Sequence, residues 1–299
     1  MASESGIPLV SVLMTSYNRQ RYIGEAIESV LASSWKDFEL IICDDASKDQ
    51  TVAVAKAYAE TDSRIRVHVN ETNLGDYRNR NHIASLARGK YIKYLDSDDK
   101  IYPWGLEAMV GCMEAFPEAG FGLMSNGLPM PAMYPILVRP QEAYRIFFFK
   151  NTLSSMGPSG SIIRRDAFME VEGFSGKPYV GDSEMWMKMA RKFALVRMPL
   201  DLIWWREHEG QQFLEGHKNN YYATHLFSLY REALSHPECP LPDAERKQAL
   251  ANMENSRIRE IIGRYLLRRK WAQGFALLKS SGLTIFDFWK AFRKNQYPI

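Results

Sequence analysis

Four short apolar runs, each cut off by polar or acidic residues, punctuate the first hundred positions of this 299-residue chain. They cover residues 8–14, 38–43, 65–69 and 91–95, and they are rich in Val, Ile and Leu. Such runs read as buried strands. Between the first two, Tyr22, Ile23, Ala26, Ile27, Val30 and Leu31 recur at helical spacing. Residues 51–60 and 77–88 read as two further helices. Strands that alternate with helices predict a parallel, doubly wound α/β sheet. In such a sheet the carboxyl ends of the strands share one edge, and ligands bind in the crevice beyond it. Thr15/Ser16, Asp44/Asp45 and Asp96/Asp98 follow three of the four runs, so these groups are expected to converge although they lie far apart in sequence.

The fourth run leads into the densest chemistry. Asp96, Asp98 and Asp99 fall within four residues, with only Ser97 between the first two. Crowded carboxylates repel one another and require a counter-charge. A hard cation such as Mn²⁺ or Mg²⁺, shared with the phosphates of a substrate, would supply it. The alternative is a solvated acidic turn, since Asp is a common turn residue. Later positions read as a helix over 104–116, a strand near 121–125 and an irregular Pro- and Met-rich stretch over 127–140. Then come a small-residue turn and short strand over 154–165, a short helix over 166–171, and a helix over 185–193 that the segment 180–184 leads into. Short strands follow at 194–198 and 202–205. From about Asn219 the pattern is helical, broken at Pro237, Pro240 and Pro242.

Bulk properties exclude several classes. Apolar residues make up 46% and charged residues 24%, the balance of a globular domain. Cys43, Cys112 and Cys239 are odd in number and widely spaced, so neither a disulfide framework nor a zinc site is expected, and a reducing, cytoplasmic compartment fits. The first ten residues do not read as a signal peptide. No run of about 18 apolar residues is present, so no membrane span is expected. The net charge of +3 is unevenly spread: from Arg257 onward ten Lys or Arg face two acids, a net of +8.

Taken together, VSVLMTSYNR, ELIICDDASKDQT, NLGDYRNRNHIASLARGKYIKYLDSDD and the later GDSEMWMKMA and WWREHEG resemble the family 2 inverting glycosyltransferases of GT-A fold, over roughly residues 8–210. The resemblance implies a Rossmann-like, doubly wound, mainly parallel sheet. It implies a catalytic domain over 1–215, with a nucleotide-sugar half at about 8–100 and an acceptor half at about 101–215, followed by a helical, basic, amphipathic region over 216–299. It also implies a nucleotide-diphosphate sugar donor, UDP-linked, and an acceptor hydroxyl. Asp45, with Asp44 beside it, matches the base-recognising acid; a carboxylate can accept the imide N–H of uracil, and the bland reading is a helix N-cap. Thr15 and Tyr17 would line the same pocket. Arg78 matches an arginine beside the base or diphosphate, or is a surface helix residue. Asp96 would reach the donor, Asp98 the metal, Asp99 neither, and Arg206 could offset diphosphate charge. His208 matches a histidine that completes the metal shell, against a purely structural role. Asp182 matches the base that deprotonates the acceptor hydroxyl. The acid that usually precedes it is replaced by Gly181, which makes Glu184 a candidate substitute base. Trp186 reads as helix core first and as a sugar-stacking platform second, as do Trp204 and Trp205.

The region after residue 216 carries no such match. Trp271, Phe275 and Leu278, then Ile285, Phe286, Trp289 and Phe292, alternate with basic residues. A basic amphipathic helix can lie on an anionic membrane, which lipid-linked acceptors would favour, or pack as a helical cap with a solvated face. Nucleic acid is not expected, because no recognition motif accompanies the charge. Two rival classes remain: a sugar-nucleotide nucleotidyltransferase, opposed by TSYNR where a Gly-rich phosphate loop would stand, and a non-catalytic sugar-nucleotide-binding protein.

Overall fold

The computed structural model describes residues 6–125, 132–150, 156–208, 211 and 221–284. The chain divides into two compact units, Met1–Glu209 and Gly210–Ile299.

In the first unit the four apolar runs form β1 (Val10–Ser16), β2 (Phe38–Asp44), β3 (Ile65–Val69) and β4 (Tyr91–Tyr94). They alternate with α1 (Ile23–Leu31), α2 (Thr51–Thr61) and α3 (Asp76–Ser85). All four strands are parallel and lie in the order β3-β2-β1-β4. The chain therefore builds outward from β1 to β3 on one side and then crosses to β4 on the other. This reversal opens a crevice between the ends of β1 and β4, the place where open α/β sheets hold ligands. The register sets Leu13 beside Tyr94 and Ser16 beside Asp44, so the polar strand ends do share one edge.

Beyond β4 the sheet becomes mixed. After β5 (Lys100–Ile101) and α4 (Gly105–Glu114) come β6 (Ala119–Met124), β7 (Ile136–Val138), β8 (Ser161–Arg164) and β9 (Ala194–Met198). The full order is β3-β2-β1-β4-β8-β6-β9-β7. β8 runs antiparallel to both β4 and β6, whereas β6 and β9 are parallel. A two-residue strand, β10 (Ile203–Trp204), pairs with β5 in a separate small sheet. Two local expectations change. β7 lies in the stretch expected to be irregular, where residues 126–131 are outside the described residues; three residues at the sheet edge, held by Leu137 beside Val196, leave no periodic pattern to read. The remaining helices are α5 (Pro140–Arg145), α6 (Arg165–Glu170) and α7 (Gly181–Lys192). The start of α7 at Gly181 puts Asp182 and Glu184 in its first turn rather than in a preceding segment.

The amino ends of the strands are fastened by a buried carboxylate. Glu39 accepts the Ser11 hydroxyl, the Arg88 backbone N–H and the guanidinium groups of Arg66 and Arg88. Burial works to raise its pKa, but these hydrogen bonds outweigh it and hold the carboxyl below its usual range. Gly89 completes the join by donating to Ser11 Oγ. A methyl group there would lie 2.6 Å from the Ser11 backbone nitrogen.

The second unit consists of α8 (Tyr221–Ser235), α9 (Asp243–Glu260), a π-helical turn over Ile261–Leu266 and α10 (Trp271–Ser281). Phe227, Ile258 and Leu283 form one small core, and Ile261, Tyr265 and Leu277 another. Leu267, Trp271 and Phe275 are exposed. Residues 285–299, including Ile285, Phe286, Trp289 and Phe292, lie outside the described residues.

Gly89→Ala must push the backbone of β1, because no flexible side chain is there to give way. Urea unfolding is expected to show a loss of about 1–3 kcal/mol, the usual range for overpacking.

Candidate active site

The β1–β4 crevice gathers charged groups from five segments. Asp98 sits at its centre: its Oδ2 accepts from Arg19 Nε at 2.9 Å and lies 3.0 Å from His208 Nε2. Arg19 arrives from the turn after β1, and His208 from the segment after β10. The His208 ring packs on Tyr22, with centroids 4.7 Å apart. Arg206 donates through Nε to the Asp98 carbonyl and through its backbone N–H to Asp99 Oδ1, and its guanidinium also reaches Glu25. Asp99 is buried. Burial first, and then the neighbouring charges of Asp96 and Asp98, raise its pKa to about 7.

Asp96 faces the other way. Its Oδ1 accepts from Arg80 Nη2 at 2.7 Å, and Arg80 Nε reaches Asp76 at 2.9 Å. Arg80 is buried. Burial opposes its charge, but Asp76 and Asp96 outweigh that and raise its pKa. Its Nη1 is buried without a hydrogen-bond partner, a donor left aimed into the protein. Ser159, in the 3-10 turn Pro158–Gly160, accepts the Asp96 backbone N–H on its hydroxyl. The ammonium of fully buried Lys93 donates to the carbonyls of Tyr94 and Ser159. Burial lowers the Lys93 pKa to about 7.

Asp182, half-buried at the start of α7, belongs to the same neighbourhood. Desolvation raises its pKa to about 7; the Ser183 N–H and the Arg80 charge pull it down, while Asp76 pushes it up. Its Oδ1 accepts the Ser183 N–H at 2.7 Å. Arg80 is ion-paired with Asp96 and its charge is felt by Asp182, so the acidic turn and the first turn of α7 share one electrostatic neighbourhood.

Several candidates stand elsewhere. Asp44 is fully buried, and its carboxylate accepts from Ser16 Oγ, Ser47 Oγ and the Ser47 N–H. Asp45 accepts from Asn70 and from the backbone N–H groups of Leu74 and Gly75. Both acids shape the loops at the mouth of the crevice, and neither caps a helix. Thr15 is buried at the end of β1, while Tyr17 is 44% exposed just beyond it. Arg78 is exposed on α3, and Arg80, two residues on, is the arginine that reaches the acids. Glu184 pairs with Lys177 at 2.9 Å and accepts the Ser175 hydroxyl, so its carboxylate secures the 175–177 loop. Trp186 is core: it is fully buried, stacks on Phe121 and donates to the Met156 carbonyl. Trp204 is partly exposed, with Lys100 and Arg206 packed near its ring.

The donor set suits a hard divalent cation. Asp98 and His208 offer one oxygen and one nitrogen at a single point, and Asp96 stands two residues away. Mg²⁺-type sites commonly hold only one or two protein ligands and take the rest from phosphate and water. No group of three or more acidic, His or Cys ligands occurs among the described residues.

Comparison with known proteins agrees with this geometry. The strand order and the acids at the strand ends first define an open α/β protein with a polar crevice where the order reverses. More particularly, the model for glycosyl transferase family 2 matches residues 11–172, and the chain belongs to that family. EpsE of Bacillus subtilis, named as a glycosyltransferase, is 46% identical over 108 residues, which is 36% of this chain and 39% of EpsE. TuaG of Bacillus subtilis, named for teichuronic acid biosynthesis, is 40% identical over 128 residues, 41% of this chain and 51% of TuaG. The chain thus spans about half or less of the length of these relatives. Among solved structures, S. aureus TarS 1-349 in complex with UDP-GlcNAc has a TM-score of 0.65 at 20% identity, covering 91% of this chain and 81% of that one. The mannosyltransferase PcManGT of Pyrobaculum calidifontis, in complex with GDP-Man and Mn²⁺, has a TM-score of 0.61 at 17% identity, covering 97% of this chain and 88% of that one. These likenesses establish the shared fold.

A carboxyl whose native pKa is raised costs stability once it must ionise. Asp99 weakens the fold progressively as pH rises from the ordinary carboxylate range through about 7. Asp99→Asn is therefore expected to raise the melting temperature of the metal-free protein at pH 8 and to leave it nearly unchanged at about pH 4, near the ordinary carboxylate pKa. Thermal denaturation at the two pH values checks this.

Proposed function

We propose that this protein is a metal-dependent, inverting glycosyltransferase. It moves a sugar from a nucleotide-diphosphate sugar, UDP-linked, to a hydroxyl of a glycan or lipid-linked acceptor in polysaccharide biosynthesis. The observation that carries the reading is the placement of Asp182, whose pKa burial raises to about 7, within the electrostatic reach of Arg80, which pairs with Asp96 in the acidic turn where Asp98 meets His208. A base poised near neutrality beside a cation-binding turn is what a single displacement requires.

Asp98 and His208 would hold Mn²⁺ or Mg²⁺, with Asp96 on the donor side. When bound, the cation would neutralise charge on the diphosphate leaving group. Arg19 and Arg206, which already bond the acidic turn, would offset charge on the same anion. Thr15 and Tyr17 would contact the nucleoside, in a pocket whose wall Asp44 and Asp45 build. With Asp182 Oδ1 fixed by the Ser183 N–H, Oδ2 is free to take the acceptor hydroxyl proton as the oxygen attacks the anomeric carbon. The bond to the diphosphate breaks on the opposite face, so configuration inverts.

The C-terminal unit suggests the partner surface. Leu267, Trp271 and Phe275 recur every fourth residue and are all exposed, with exposed Arg268, Arg269 and Lys270 between the first two. A surface both apolar and basic matches an anionic bilayer, where aromatic side chains insert and cations meet head groups. No helix among the described residues is long and apolar enough to cross a membrane; the contact proposed is a peripheral one at the cytoplasmic face. Co-sedimentation is expected with vesicles containing anionic lipid and not with zwitterionic ones. The triple change Leu267→Ser, Trp271→Ser and Phe275→Ser should abolish it.

Incubation with Mn²⁺ and a panel of sugar nucleotides and acceptors is expected to release UDP. Chelation or Asp98→Ala should abolish release, and Asp182→Asn should cut kcat by about 10²–10⁴ while sparing donor binding. Because Asp182 must be ionised to accept a proton, kcat/KM should rise with pH through about 7 and then level off. Pyrophosphate formation from UTP and a sugar phosphate would instead identify a nucleotidyltransferase.

A further inference from the structure

The first turn of α7 has no side-chain cap of its own. Val180 stands at the N-cap position and makes no side-chain hydrogen bond to the helix. The early backbone donors of a helix need partners from outside it. Here the Ser183 N–H is taken by Asp182 Oδ1, whereas the Asp182 N–H donates to the hydroxyl of Tyr77, 105 residues earlier, at 3.2 Å. Tyr77 is buried on α3, one turn from Arg80, and its ring packs on Phe174 with centroids 5.1 Å apart. The close approach of α3 to α7 depends on Gly181, since a Cβ there would lie 2.7 Å from two carbons of the Tyr77 ring. Any side chain at 181, acidic or not, collides with this tyrosine.

We infer that Tyr77 is a positioning residue: its hydroxyl caps α7 from another element and sets the backbone of Asp182, and Gly181 is the residue that lets the ring reach it. The inference rests on the role proposed for Asp182. The Asp182 carboxylate projects from a backbone held at two points, by Tyr77 at its N–H and by its own bond to Ser183. Loss of the first lets the helix start fray and the carboxylate drift from the acceptor. Displacements of about 1 Å at a reacting group can cost a hundredfold in rate.

Tyr77→Phe tests this, because it keeps the ring and removes only the cap. Amide hydrogen exchange at residues 182–184 is expected to quicken about tenfold, the effect of losing one hydrogen bond. In the transfer assay kcat should fall at least tenfold, with KM for the donor within twofold of the parent. Gly181→Ala should give the same signature. The double variant should be no worse than the poorer single, since both act through one contact. Unchanged exchange at 182–184 in Tyr77→Phe overturns the inference, as does a kcat loss matched by an equal rise in donor KM. Faster exchange in a protein that transfers no sugar from any donor upholds the cap and overturns the function proposed for Asp182.

Discussion

Arg80 is the interaction on which the site depends. Its guanidinium is buried between Asp76 and Asp96 and lies within electrostatic reach of Asp182. Without that cation, three carboxylates would share a poorly solvated space with no counter-charge. Removing one partner of a buried ion pair typically costs about 3–5 kcal/mol, because the remaining charge is stranded. Arg80 thereby brings the acidic turn after β4 and the first turn of α7 into one electrostatic neighbourhood. It does so with one donor atom still unused.

The sheet makes this meeting possible. Reversal of strand order at β1 leaves the ends of β1 and β4 side by side, so the turns carrying Arg19 and Asp98 are neighbours though 79 residues apart. At the opposite edge, Glu39 gathers Ser11, Arg66 and Arg88. One edge is a closed network in which the charges answer one another. The other is crowded with acids, two of them, Asp99 and Asp182, held reluctant to ionise. That contrast separates an edge whose carboxylate is satisfied from one whose carboxyls are perturbed, the pattern by which candidate functional sites are recognised.

The fold of the first hundred residues was legible because each strand is a compact apolar run with an abrupt polar end. The acidic turn and Asp182 were legible by type and order. The partners of the acids were not. α3 offers Arg78 and Arg80 two positions apart, hence on different faces, and periodicity in so polar a helix does not say which face meets the turn. Asp44 and Asp45 read as ligand-facing acids, and the structure adds that their oxygens also accept from groups spread from Ser16 to Gly75, contacts that only the folded loops create. Gly181 read as a missing acid because the ring that fills its place lies on α3. The edge strand β7 and the antiparallel insertion of β8 depend on pairings between distant segments, which local pattern does not encode.

Lys93 bears on how such a protein could be recombined. Its ammonium stitches the end of β4 to the Ser159 carbonyl, and the Ser159 hydroxyl in turn holds the Asp96 backbone. The acidic turn after β4 therefore takes its shape in part from a residue 63 positions beyond Asp96. A chimera spliced near residue 100 would keep the Tyr94 carbonyl as an acceptor for Lys93, but it would depend on the homologue for a carbonyl in the place of Ser159 O and for a hydroxyl that accepts the Asp96 N–H. A rear half without that serine would leave the Asp96 backbone without its acceptor. The acidic turn and the 158–160 turn thus form one structural unit, and a splice that keeps the first should keep the second.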